Sequence, residues 1–322
     1  MSTTVFPPQA ENVQAISDVP LWTESFHGSG YDPDNGIGVF VHIARAQMDP
    51  LLWDETFVAF LPGDRFLVHR GFGYGETPAG PAANALRYVH RDPFESWHIR
   101  FEGAARHVTG EELAQSTVTD DSHVKAVLDI DMRSLGPVYG IGEMSDDEFW
   151  AHSHYEQHLS LRGHLDFEGS RFELNGTGMR DHSVGPRDIN ALDRHTWCHG
   201  EFPDGRLFMV MDVAAADGTN LRYAVVGNRD GLAAATLSHP GETLLSTRRD
   251  ATAPYQLHLD GPDGPIVIEA EILQTLPLSM RGTNDWVPGT RPDAHHLMYE
   301  CQTRFTWDGQ TGYGLTERSV KD

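Results

Sequence analysis

Apolar and polar positions alternate along much of this chain at the two-residue period of a half-buried strand. Gly38–Ala44, Glu55–Leu61, Arg65–His69, Trp97–Glu102 and Val124–Met132 each read as strands, the last with Ala126, Leu128, Ile130 and Met132 on one face. Pro62-Gly63-Asp64 marks a turn between two of them. The second half is written in hairpins. Leu207–Val213 and Leu221–Val226 bracket Ala216-Asp-Gly-Thr219, Tyr255–Asp260 and Ile266–Leu273 bracket Gly261-Pro-Asp-Gly264, and Tyr299–Trp307 and Tyr313–Ser319 bracket Asp308-Gly-Gln310. A helical pattern appears once: Ser145-Asp-Asp-Glu148 is a capping box, and Phe149–Leu161 follows it. These signals predict an all-β, antiparallel sandwich or barrel protein, since helices between strands are scarce. They predict an extended arm over 1–20, a β domain over 21–144, and a helix plus a second β domain over 145–322. No exact repeat is visible, although two similar β halves leave room for a diverged one.

Composition narrows the partners. Lys+Arg 24 against Asp+Glu 47 gives a net charge of −23, which repels phosphate backbones and anionic lipid, so no nucleic-acid partner is expected. The 322 residues contain no apolar run near the roughly 20 residues of a spanning helix. The N-terminus lacks the basic and apolar regions of a secretory signal, so a cytoplasmic location is expected. Cys198 and Cys301 are the only cysteines and form no C-x-x-C, so reduced thiols are expected. The oligomeric state stays open between monomer and homodimer.

The densest chemistry lies in Gly176–Asp188, where Arg180, Asp181, His182, Ser183, Arg187 and Asp188 sit among Gly176, Gly178, Gly185 and Pro186. The segment follows the strand-like run Arg171–Leu174 and reads as a loop at a sheet end, shaped by its glycines together with Ser183, Arg187 and Asp188. A carboxylate beside an imidazole can hold a proton and hand it on, which makes Asp181 and His182 the candidate acid–base pair. The competing reading is an ionic staple, Arg180–Asp188 or Arg187–Asp181. The expected helix carries His154, Tyr155, Gln157 and His158. His154 and His158 would share a helical face, but Tyr155 stands where a zinc protease has Glu, so these residues are expected to line a pocket and no metal site is assigned. Gly71-Phe-Gly-Tyr-Gly75 lacks the spacing of a dinucleotide loop, and no cofactor is expected from it. Trp197 and Trp286, in polar, turn-rich surroundings, are further pocket candidates. Glu300 and Glu317 fall on neighbouring strands and read as solvent-facing.

The run His154-Tyr-Glu-Gln157, Gly163, Gly176-x-Gly178-x-Arg-Asp-His-Ser183, Gly185-x-Arg-Asp188, with a closing Gly312-x-Gly314-x-x-Glu317, resembles the AttH/CrtC-like group. That group includes hydroxyneurosporene synthase (carotenoid 1,2-hydratase), kievitone hydratase and fungal Diels–Alderase relatives. The resemblance implies a calycin fold, two lipocalin-like barrels or half-barrels enclosing a lipophilic ligand, and chemistry without a cofactor. It implies that Asp181 protonates a double bond, that His182 orients or relays protons, and that Arg180, Arg187 and Asp188 hold the loop. The pocket candidates His154, Tyr155, Gln157, Trp197 and Trp286, with Arg180, are expected to contact substrate. Val184 departs from the pattern, since members often carry Trp there. The expected activity is that of a lyase on a hydrophobic or aromatic small molecule, either of hydratase or dehydratase type or cleaving a neighbouring C–O or C–C bond. An isomerase or pericyclase in the same cavity and a carrier without catalysis are the alternatives.

Overall fold

The computed structural model describes residues 6–118, 122–143, 151–280 and 286–321. The chain divides into two compact units, Ser2–Thr109 with Val118–Asp188, and Gly110–Thr117 with Ile189–Asp322. Strand makes up 68% of the chain, so the protein is all-β as the alternation predicts. The first unit is built from β1 (Trp22–Asp32), β2 (Ile37–Ala46), β3 (Asp49–Leu61), β4 (Arg65–Gly73), β5 (Ser96–Thr109), β6 (His123–Ser134), β7 (Ser153–Phe167) and β8 (Ser170–Pro186). Each pairs antiparallel with the next in sequence, and β8 pairs back on β1. The sheet therefore closes as an eight-stranded up-and-down barrel. Two short strands, Leu86–Asp92 and Tyr139–Glu143, add to β5 and β7.

The second unit repeats this plan with β9 (Leu192–Glu201), β10 (Arg206–Ala215), β11 (Asn220–Asn228), β12 (Gly231–Leu237), β13 (Tyr255–Gly261), β14 (Gly264–Met280), β15 (His296–Trp307) and β16 (Gln310–Lys321). Its ring closes through β16 on β9. All three predicted hairpins are present, as β10–β11, β13–β14 and β15–β16.

The two barrels carry the diverged repeat. Gly178-Met-Arg-Asp-His-Ser-Val184 on β8 and Gly314-Leu-Thr-Glu-Arg-Ser-Val320 on β16 occupy the same place in their rings. Gly178 lies opposite Gly30 of β1, and Gly314 opposite Gly200 of β9. A Cβ on Gly178 would stand 1.9 Å from the Ser29 carbonyl oxygen, and one on Gly314 would stand 1.9 Å from that of His199. Glycine is needed in both closing strands because backbones approach too closely for any side chain.

Three expectations change. Residues Ser153–Leu161 lie in β7, not in a helix, and the capping box at 145–148 falls outside the described residues. Tyr155, Gln157, Leu159 and Leu161 face the barrel interior while His154, Glu156 and His158 face out, a two-residue period whose inward Tyr and Gln resemble a polar helix face. Among the described residues the α-helix is the six-residue Gly110–Gln115. With 153–186 paired into the first barrel, the boundary between the units falls after Asp188 rather than at residue 145. Finally, Gly176–Pro186 is not a loop at a sheet end but the second half of β8.

Candidate functional site

Strand pairing sorts the Arg-Asp-His-Ser run onto two faces. Directly paired residues share a face, and β1 fixes which one: Phe26, in the hydrophobic core, pairs with His182, while His27 pairs with Asp181. Arg180 and His182 thus point into the barrel, and Asp181 and Ser183 point out of it. Asp181 and His182 cannot work side by side on one substrate atom, because consecutive residues of a strand diverge.

The interior group is a continuous ion and hydrogen-bond chain. The Arg180 guanidinium meets Glu11 at 2.7 Å, and the Tyr155 hydroxyl donates to the same Glu11 oxygen at 2.6 Å. Tyr155 also bonds His182 Nδ1 at 2.7 Å, and His182 Nε2 bonds Glu24 at 3.0 Å. Arg45 donates to Glu24 at 3.1 Å and to Glu76 at 2.9 Å. Indoles close both ends: Trp97 donates to Glu11 and Trp53 to Glu76, and each lies under a guanidinium, Arg180 or Arg45, at 4.2 Å. Gln157 donates to Phe94 O, Ser134 Oγ and Gly136 O and accepts from Arg180. Burial pushes the Glu11 carboxyl up, but Arg180, Tyr155, His182 and Trp97 together outweigh it and hold the group below the ordinary carboxylate range. Burial, reinforced by Glu11, drives the Tyr155 phenol well above its usual value, so it stays neutral.

Below this chain the barrel is packed rather than hollow. Trp53, Phe57, Tyr88, Trp97 and Phe101 are all buried in one cluster with Ile99 and Ile130. The expected pocket residues Tyr155, Gln157 and Arg180 are therefore anchors inside a core. Neither staple read from sequence forms the anchor, since Arg180 takes its carboxylate from Glu11 in the N-terminal arm. Glu11, Glu24, Arg45 and Glu76 were missed because they lie far from the motif in sequence. The one available signal was Glu24, an acid two positions from Phe26 and so on the same face of a strand.

The outward face holds a second group. His42, His27, Asp181 and Glu156 sit directly opposite one another across β2, β1, β8 and β7. His27 Nδ1 is 3.5 Å from Asp181 Oδ2. In the next row His154 bonds Ser183 through Nδ1 at 2.7 Å and Glu156 through Nε2 at 2.9 Å. His154 and His158, four apart on a strand, are roughly 13 Å apart along it and cannot act as the helical pair considered from sequence. His27, His42, His154 and Glu156 are buried, whereas the Asp181 side chain keeps 16% of its surface exposed. It is thus a reachable carboxyl backed by an imidazole, the minimum equipment for moving a proton to or from a bound molecule.

The remaining candidates lie in the second unit. Trp197 is on the outer face of β9, opposite Glu317 and buried, and Trp286 is half-buried on a short strand beside Met280. Glu300 pairs across from Glu317 but is fully buried, contrary to the solvent-facing expectation. Among the described residues no helix is long and apolar enough to cross a membrane.

A family model described as a domain of unknown function, DUF7064, matches residues 7–321. The chain belongs to the DUF7064 family. No curated protein matches it in sequence. Among solved structures, the chain is similar to an AttH-type protein of Nitrosomonas europaea, with TM-score 0.60 and 13% identity over 96% of this chain and 98% of that one. It is also similar to CghA, solved with Sch210972 (TM-score 0.54, 12% identity, 94% of this chain and 89% of that one) and without it (TM-score 0.53, 12% identity, 94% and 88%). This chain therefore shares the fold of the AttH-type protein and of CghA, as the motif resemblance implied.

Proposed function

We propose that this DUF7064 protein is a cofactor-independent enzyme of hydro-lyase type for a hydrophobic small molecule, with Asp181 as the acid–base group and His27, not His182, as its partner. One observation carries the reading: of the Arg-Asp-His-Ser run, Asp181 points out of the packed core, is partly exposed and sits against a buried imidazole. In the hydration direction the Asp181 carboxyl gives its proton to an alkene carbon. Water captures the resulting cation, and the proton that water sheds returns to the carboxylate by way of His27. The likeness to CghA, which was solved with Sch210972, supports a bulky organic guest. That likeness also favours a second reading, in which the protein folds its substrate into a reactive shape and needs no acid.

The test is hydration in D2O of a panel of lipophilic alkenes, polyenes and enones, read by mass spectrometry. The wild-type protein places deuterium on carbon in at least one compound. Asp181→Asn lowers that rate by about 100-fold or more while the compound still binds. Conversion that survives the substitution supports the shape-driven cyclase or isomerase, and binding without any conversion supports a carrier.

A further inference from the structure

Among the described residues, most of the large apolar side chains left in solvent gather at one end of the first barrel. Met48, in the turn between β2 and β3, is 98% exposed, and Leu51 and Tyr74 are 63% and 66% exposed. Pairing of Trp53 with Gly73 brings Leu51 and Tyr74 to the same rim, where the Tyr74 hydroxyl donates to Asp49 at 3.2 Å. The side-chain amide of Gln47, next to Met48, donates to the Leu21 carbonyl at 2.8 Å. That contact adds exposed Leu21 and, through the turn closed by Trp22 N–H on the Val19 carbonyl, exposed Val19. Phe72, also exposed, sits on β4 with the Arg70 guanidinium 4.9 Å from its ring centre.

These side chains stand on a fixed backbone. Arg45 Nη1 donates to the Pro50 carbonyl at 2.6 Å, and Asp49 accepts the Leu51 N–H at 3.2 Å. Leu21 is held at φ +62°, a region leucine rarely adopts, while its carbonyl accepts the Arg187 N–H at 3.1 Å. Single exposed apolar residues are ordinary, but a pre-shaped group of them marks an interaction surface.

Charge decides what fits there. Asp18 beside Val19 is exposed, Asp49 is half-buried, and the Glu76 side chain is 42% exposed. The neighbouring arginines are engaged within the fold: Arg45 is buried between Glu24 and Glu76, Arg70 meets Asp54 at 2.6 Å, and Arg187 is buried. The rim is therefore apolar with an acidic fringe. A second copy would bring the same fringe and a net charge of −23, and anionic lipid is repelled in the same way.

We propose that this rim docks a partner protein, through a segment whose apolar side chains are flanked by lysine or arginine. The apolar side chains cover Leu21, Met48 and Leu51, and the cations meet Asp18, Asp49 and Glu76. The surface uses none of the residues assigned to proton transfer, so docking is independent of the reaction proposed at Asp181.

The probe is a short peptide with leucines on one helical face and lysines on the other, titrated by calorimetry at low and high salt. It binds saturably, more weakly at high salt, and a counterpart with glutamate for lysine does not bind. Met48→Asp with Leu51→Asp weakens binding by about tenfold or more, even though it adds negative charge. The neutral pair Met48→Ser with Leu51→Ser also weakens it. Val267→Asp with Leu273→Asp, at exposed apolar positions of the second barrel, leaves it unchanged. Both rim variants unfold at the wild-type midpoint, because Met48 and Leu51 stand in solvent, so their weaker binding reports lost contact. No saturable binding to wild type would overturn the proposal, as would equal or tighter binding by the acidified rim, which net charge alone would give. Attachment to phosphatidylcholine vesicles, or self-association in the centrifuge, that the Met48 and Leu51 substitutions abolish would also overturn it, since the rim would then serve lipid or a second copy.

Discussion

Neighbouring residues of the motif have separate duties, and single substitutions separate them. Glu11 is the carboxylate that neutralises Arg180 and also receives Tyr155 and Trp97. Glu11→Gln leaves a fully buried guanidinium without its counter-charge. Unfolding in urea, followed by tryptophan fluorescence, should show a loss of about 3–5 kcal/mol. A loss below about 1 kcal/mol would mean that the interior chain contributes little, as exposed ion pairs do. At this scale the motif itself was legible in the sequence, and its division between the two faces of one strand was not. Asp181 and His182 were legible as titratable neighbours, but their partners His27, Tyr155 and Glu24 come from other strands, and strand register is not written in any local spacing.

Strands were the most legible elements, because two-residue alternation and Asp-Gly turns are local properties. β7 failed as a prediction for a physical reason: its inward face carries Tyr155 and Gln157, polar residues satisfied by Glu11, Ser134 and backbone carbonyls that only the folded barrel supplies. The Gly-x-Gly pairs were legible as backbone signals, but their cause is strand closure rather than a loop. Gly314→Ala should therefore destabilise the second barrel by about 3 kcal/mol or more, since the new methyl meets a backbone oxygen. Gly231→Ala, a strand glycine with open space around its Cα, is the control and should change little. Chemical denaturation of the two variants checks this, and equal effects would remove the close-approach argument.

For the whole molecule, two buried groups make stability depend on acidity in the same direction. Burial, with the charges of His195, Lys321 and Arg248, lowers His296 from 6.5 to about 3. The unfolded chain then takes the proton first as pH falls, so stability present above pH 6.5 is withdrawn towards pH 3 at about 1.4 kcal/mol per unit. Glu11, held below 4.5, adds stability above that value that is lost as pH drops further. His296→Gln should flatten the unfolding midpoint between pH 6.5 and 4.5, and an unchanged slope would exclude His296 as its source. The architecture of paired barrels was legible through the motif resemblance, whereas the filling of the first barrel was not, because alternation shows which face is buried but not whether a guest shares the space. The account turns on β8 dividing its labour, anchoring inward and reacting outward. Its most direct test sets Asp181→Asn beside His182→Gln, measuring urea unfolding and deuterium transfer to carbon in both. The account predicts that Asp181→Asn keeps the unfolding midpoint and loses transfer, while His182→Gln lowers the midpoint and, where folded, still transfers. The reverse pattern would contradict it.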